Sequence, residues 1–191
     1  MGNQQMSLDQ VRQAAQDMRG FGENISSEIQ NVYNLVMSMH GNMWKGNIYA
    51  KLVNSFNNVI NGMNNTIKTV VDDYPRALEQ IVSIKSQADD RGGTPVGAEQ
   101  ARTIKNLEAI NDGEDFKYNP DDVAAVKGQI MTSLNNVTAI LNSIYIKVST
   151  LVEGQVWVGQ DAAAYLNSAN KMKTDFTNSF NEFAKDFDEC M

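Results

Sequence analysis

The chain has 191 residues, 42% of them hydrophobic, enough for one core or for two small intertwined units. A net charge of −7, with the 16 basic residues scattered, argues against nucleic acid and anionic membrane surfaces, which call for clustered Lys and Arg. Aromatics at 8% and ten Met favour helix packing over a β-sandwich, and no uncharged apolar run approaches the ~18 residues of a membrane-spanning helix.

Residues 7–40 place Leu8, Val11, Ala15, Met18, Phe21, Ile25, Ile29, Val32, Val36 and Met39 at steps dominated by three and four, which predicts one amphipathic helix. Ser7 and Gln10 have the spacing of a capping box. The same rhythm resumes at Ile48 and continues through Leu52, Phe56, Val59, Met63, Ile67, Val70, Tyr74, Leu78, Ile81 and Ile84 to about residue 88. Pro75 removes one helical hydrogen bond and restricts Tyr74, so a kink or short break is expected near Asp73-Tyr74.

Residues 89–120 change character and read as a linker. Asp89 to Gly97 is rich in turn residues and Asn111 to Asp115 is polar. Between them, Ile104, Leu107 and Ile110 predict a short helix over Ala98–Ile110. Pro120-Asp121-Asp122 then opens a third long helix, in which Val123, Val126, Ile130, Leu134, Val137, Leu141, Ile144, Val148 and Leu151 keep an almost strict heptad. A fourth helix is expected from Ala162, with Asp161 as its N-cap; its apolar face runs Tyr165, Ala169, Met172 and then Phe176, Phe180, Phe183 and Phe187. The four Phe form a stripe for the core or for a helical partner.

The turns between the helices repeat one design. Gly41-Asn42-Met43-Trp44-Lys45-Gly46 and Gly154-Gln155-Val156-Trp157-Val158-Gly159 share glycine, Trp and glycine at identical spacing. With 13 Gly and two Trp in the chain, chance gives this on the order of 2 × 10^-5, so an internal repeat is the better reading. The leading glycines (Gly41, Gly154) suit left-handed helix caps, and the trailing ones (Gly46, Gly159) let the backbone turn while the indole folds over the hairpin end. The chain is therefore expected to be all-α: two long helix-turn-helix hairpins, residues 1–88 and 121–191, joined by the 89–120 linker and packed as a four-helix bundle. A linker this long is surplus if both Trp tips lie at one end, so opposite ends are expected.

No catalytic, cofactor or metal constellation emerges. His40 and Cys190 are the only residues of their kinds, Gly92 to Gly97 lacks the Lys and Ser/Thr of a phosphate loop, and Asp112, Glu114 and Asp115 lack the order of calcium ligands. Asn24, Asn64 and Asn136 begin glycosylation-like triplets, which an Asn-rich helix produces by chance. The start of the chain has neither the basic region nor the apolar core of a cleavable signal peptide.

Trp-x-Gly between two long amphipathic helices resembles the signature of the WXG family, small substrates of type VII secretion systems. The second copy, Trp157-Val158-Gly159 followed by Ala164-Tyr165, fits the pattern well; the first departs from it at Lys51-Leu52. Family members usually carry one hairpin, so the resemblance implies a fused pseudo-dimer, monomeric or homodimeric. It further implies a protein that is cytoplasmic before export and then secreted, and that works through protein partners: the secretion machinery and a co-secreted helical protein. The family's export element, Tyr-x-x-x-Asp/Glu, is matched by Tyr118 and Asp122, which share a helical face if the third helix begins before Pro120; the other reading of Tyr118 is a linker aromatic that covers the bundle beside a helix cap. The alternative is a non-secreted helical scaffold or the targeting module of a larger toxin.

Overall fold

The computed structural model describes residues 7–88 and 101–191. Five helical segments build four rods. They are α1 (Leu8–Met39), α2 (Asn47–Lys68) continued through a π-turn at Thr69–Asp73 into α3 (Tyr74–Ala88), α4 (Pro120–Glu153) and α5 (Gly159–Cys190). Two short strands, β1 (Trp44–Lys45) and β2 (Lys117–Tyr118), pair antiparallel. The residues that gave the helical rhythm form one continuous core, and all nine heptad positions of α4 are buried. Leu8, Ile48 and Ile84 differ: each sits near an end of its rod, Leu8 half-buried and the two Ile exposed.

Side-chain pairs fix how the rods run. Lys147 reaches Asp17 at 2.8 Å, Asn136 reaches Glu28 at 3.0 Å and Asn31 reaches Ser133 at 2.9 Å, so α4 descends as α1 climbs. Lys173 with Asn142, and Lys127 with Asp188, set α5 antiparallel to α4. Tyr74 with Ser168, and Ser55 with Asp186, set α5 antiparallel to the α2–α3 rod. Arg19 donates to Glu79 at 2.6 Å and closes α3 against α1. Each rod is thus antiparallel to its neighbours, as in four-helix bundles.

The second rod carries Pro75 without breaking. Pro75 has no N–H to give to the carbonyl four residues back. The ladder slips by one residue instead, with the Tyr74 N–H bonding to the Thr69 carbonyl, five residues back. The extra residue pushes Val71 outward, and α1 accommodates it at Gly22: a Cβ there would lie 2.1 Å from Val71 Cγ2.

The linker differs from the expectation. Residues 101–110 are not helical; they run along α2 as extended chain. Ile104 and Leu107 are buried, Ala101 and Ile110 are half-buried, and the residues between them are exposed. Burial at every third residue fits an extended, three-fold chain as well as a helix, and the sequence spacing alone does not distinguish them. The remainder of the expected helix, and the glycine run from Gly92 to Gly97, lie outside the described residues.

The Trp tips lie at opposite ends. Trp44 packs against Tyr118 just before α4 begins, and Trp157 follows the end of α4. Thirty-four residues of helix at about 1.5 Å each put roughly 50 Å between them.

Candidate functional site

Tip 1 is assembled from hairpin and linker together. Gly41 takes φ +79° as α1 ends, and its N–H bonds to the Trp44 carbonyl at 3.0 Å, closing a tight loop. Trp44 is 1% exposed, among Tyr49, Tyr118 and Phe187 at ring-centroid distances of 5.9, 5.2 and 6.0 Å. Tyr49, whose hydroxyl donates to the Val36 carbonyl at 2.7 Å, is held well above the usual phenol range by burial and then by the charge of Asp112.

The linker then covers the loop. Trp44 pairs with Tyr118 and Lys45 with Lys117 across the two strands, and the Asn119 N–H donates to the Met43 carbonyl at 2.9 Å. Asp112 uses both carboxylate oxygens: one accepts the Gly46 N–H at 2.8 Å, the other meets His40 Nε2 at 2.9 Å. The His40 ring stacks on Tyr49 at 5.2 Å and 4°. The Gly46 N–H, then the His40 hydrogen bond, hold the Asp112 carboxyl below its ordinary value. Gly46 is required twice over. Its φ is +112°, and a Cβ would approach the Asp115 carbonyl to 3.3 Å.

Tip 2 has the same residues in a different conformation. Gly154 does not take the left-handed cap expected of it (φ −74°); Gln155 does, at φ 55°. The Leu151 carbonyl accepts from both Val156 and Trp157 N–H, which closes the turn without that glycine. Trp157, 3% exposed, stacks on Tyr165 at 4.1 Å and tilts against Tyr74 at 5.7 Å. Among the described residues no acceptor meets its buried Nε1–H. Gly159 takes φ +67° with open space around it, and α5 starts there. The expected N-cap, Asp161, therefore lies inside the first turn, and Val158 holds the cap position without a side-chain bond.

Two further site expectations need correction. Tyr118 and Asp122 do not share a helical face, because α4 starts at Pro120 and Tyr118 lies in β2. Tyr118 packs edge-on to Trp44, while Asp122 accepts from the Asn119 side chain in the first turn of α4. The Phe stripe is not a partner-facing surface: Phe176, Phe183 and Phe187 are buried in this chain's own core, and Phe180 is half-buried against it. Phe183 meets Phe56 of α2 at 5.5 Å, and Phe187 meets Trp44.

Sequence reasoning passed over Asp112 and His40 as partners, because 72 residues separate them. The Asn residues of α2 were a visible signal. Asn57 and Asn64 lie seven apart on the half-buried margin of an amphipathic helix, where apolar or charged residues are usual.

Among the described residues no helix is long and apolar enough to cross a membrane, and no cluster of His, Cys, Asp and Glu is suited to a metal. No curated protein and no solved structure matches the chain. A family model does, that of the proteins of 100 residues with WXG, over residues 3–89. The matched span contains α1, tip 1 and the α2–α3 rod, and the second hairpin lies outside it. The first hairpin, with Trp44 and Gly46 at its tip, thus matches the WXG family.

Proposed function

We propose that this protein is a secreted substrate or adaptor of a type VII secretion system, acting by protein–protein contact and not by catalysis. The family match of the first hairpin supports the reading, since WXG proteins typically pair as helical dimers and are typically exported by such systems. In this reading the second hairpin takes the part of a partner chain, so that one polypeptide supplies both halves of the pair. It is cytoplasmic before export. The observation that carries the proposal is at tip 1: Trp44 of the family motif lies against Tyr118 and Gly46 against Asp115 and Phe116, with Asp122 exposed in the first turn of α4. The motif is buried in that end of the bundle, and Tyr118 and Asp122 beside it, half-buried and exposed, are what secretion machinery recognises on the folded protein.

The test compares culture medium and cells for wild type, Tyr118→Ala and Asp122→Ala, with and without the secretion system. Both variants are expected to keep wild-type helical content and to lower the secreted fraction severalfold. Deleting the system is expected to abolish export. Normal export in its absence would overturn the proposal, and normal export of both variants would move the signal off tip 1.

A further inference from the structure

Two asparagines of α2 grip the backbone of the crossing segment. Asn64 Nδ2 donates to the Ile104 carbonyl at 2.9 Å, and its Oδ1 accepts the Ile104 N–H at 2.9 Å. Asn57 does the same with Leu107, at 3.0 and 2.8 Å. A carboxamide presents a donor and an acceptor side by side, as the N–H and C=O of one residue in an extended strand do. Each asparagine therefore plays the part of a residue in a hydrogen-bonded β pair, although it stands on a helix.

The spacing makes this a matched pair of grips. Seven residues of α-helix rise about 10.5 Å, and three residues of extended chain cover roughly 9.3–10 Å. A helical segment would rise only about 4.5 Å over three residues and could not engage both amides. The four bonds read no side chain. Selectivity comes only from the two inward residues, Ile104 and Leu107, 6% and 3% exposed. Lys105 and Asn106 between them, and Arg102, Thr103 and Glu108 around them, face solvent.

We propose that this face of α2 is a peptide-binding site. It takes an extended segment with apolar side chains three residues apart, is filled at rest by the chain's own Ile104 and Leu107, and is taken over by such a segment of a partner protein. The resident segment is the imprint of the ligand: backbone amides that any chain supplies, and two apolar side chains in fixed register. Because it is tethered, its effective concentration is on the order of millimolar. A partner's segment succeeds by supplying contacts beyond these, or by acting when the resident strap is released.

The probe is a fluorescent synthetic peptide of residues 101–112. Ile104→Asp/Leu107→Asp empties the site, and this variant, if its helical circular dichroism matches wild type, is expected to bind the peptide. Adding Asn57→Ala/Asn64→Ala is expected to weaken binding at least about tenfold, and a peptide carrying the two Asp is expected not to bind. No binding up to millimolar peptide, or binding indifferent to the asparagines, overturns the proposal. Should the emptied variant unfold, the wild-type chain decides. Millimolar unlabelled peptide is expected to speed hydrogen exchange at its own Ile104 and Leu107 amides, and unchanged protection there overturns the proposal. Neither readout depends on export.

Discussion

Glycines in the same helix have opposite consequences here. Gly20 and Gly22 both lie in α1, but a Cβ at Gly20 meets nothing within 4 Å, while one at Gly22 meets Val71 Cγ2 at 2.1 Å. Gly20→Ala is expected to stabilise the protein by about 0.5–1 kcal/mol through helix propensity alone. Gly22→Ala gains the same propensity but is expected to lose ~1–3 kcal/mol to overpacking, for a net loss. Urea melts of the two variants should shift in opposite directions, and a shift in the same direction would show that Val71 does not need the space at Gly22. The tip indoles are the other residue-scale test. Trp157→Ala should cost about 3 kcal/mol or more, since it leaves a void between Tyr74 and Tyr165. A melting temperature lowered by roughly 6–12 °C would match that figure. The unpartnered indole N–H makes Trp157→Phe milder than its size suggests, because the replacement leaves no buried donor unsatisfied.

At the scale of elements, the legible parts of the sequence were those whose apolar spacing had one structural meaning. The nine heptad residues of α4 run through about eight turns, a periodicity that no strand or loop reproduces, and all nine are buried. Ser7 and Gln10 form the capping box their spacing predicts. Residues 101–110 are the counter-example. Ile104, Leu107 and Ile110 at steps of three suit one helical face and equally suit an extended three-fold chain. The decision came from α2, whose asparagines bond to backbone that a helix would have kept for itself. The expected break at Pro75 became a π-turn for a comparable reason. The lost hydrogen bond could be recovered by slipping the ladder one residue, provided a neighbour left room, and Gly22 on α1 does.

For the molecule as a whole, two carboxylates tie distant parts together and make stability depend on pH in a defined direction. Asp17 is held below its ordinary value of 3.8 chiefly by its hydrogen bond to Lys147, and Asp112 by the Gly46 N–H and then His40. Both bind protons more weakly folded than unfolded. Their contribution is therefore fully present above about pH 4 and is lost as pH falls through the lowered folded values. Thermal melts should show a steady decline below pH 4, with the linker contacts at tip 1 and the α1–α4 contact loosening together. In Asp112→Asn the decline should be shallower and the neutral-pH stability lower; a pH profile that coincides with wild type would show that Asp112 does not latch the linker.

The sequence by itself determined four amphipathic rods, two Trp-centred turns and the family resemblance, because each rests on local periodicity or on a motif within six residues. The long linker also determined that the tips oppose each other, through chain length alone. Only tertiary structure decided what fills the space between the rods. It folded the Phe stripe inward because α2 and Trp44 were there to receive it, and it set Tyr118 against Trp44 in place of a helical face shared with Asp122. It likewise joined His40 and Gly46 to Asp112, and Asn57 and Asn64 to a strap some 40–50 residues away. Such contacts satisfy polar groups across the chain, and a polar residue's own surroundings in sequence do not say which distant backbone will need it.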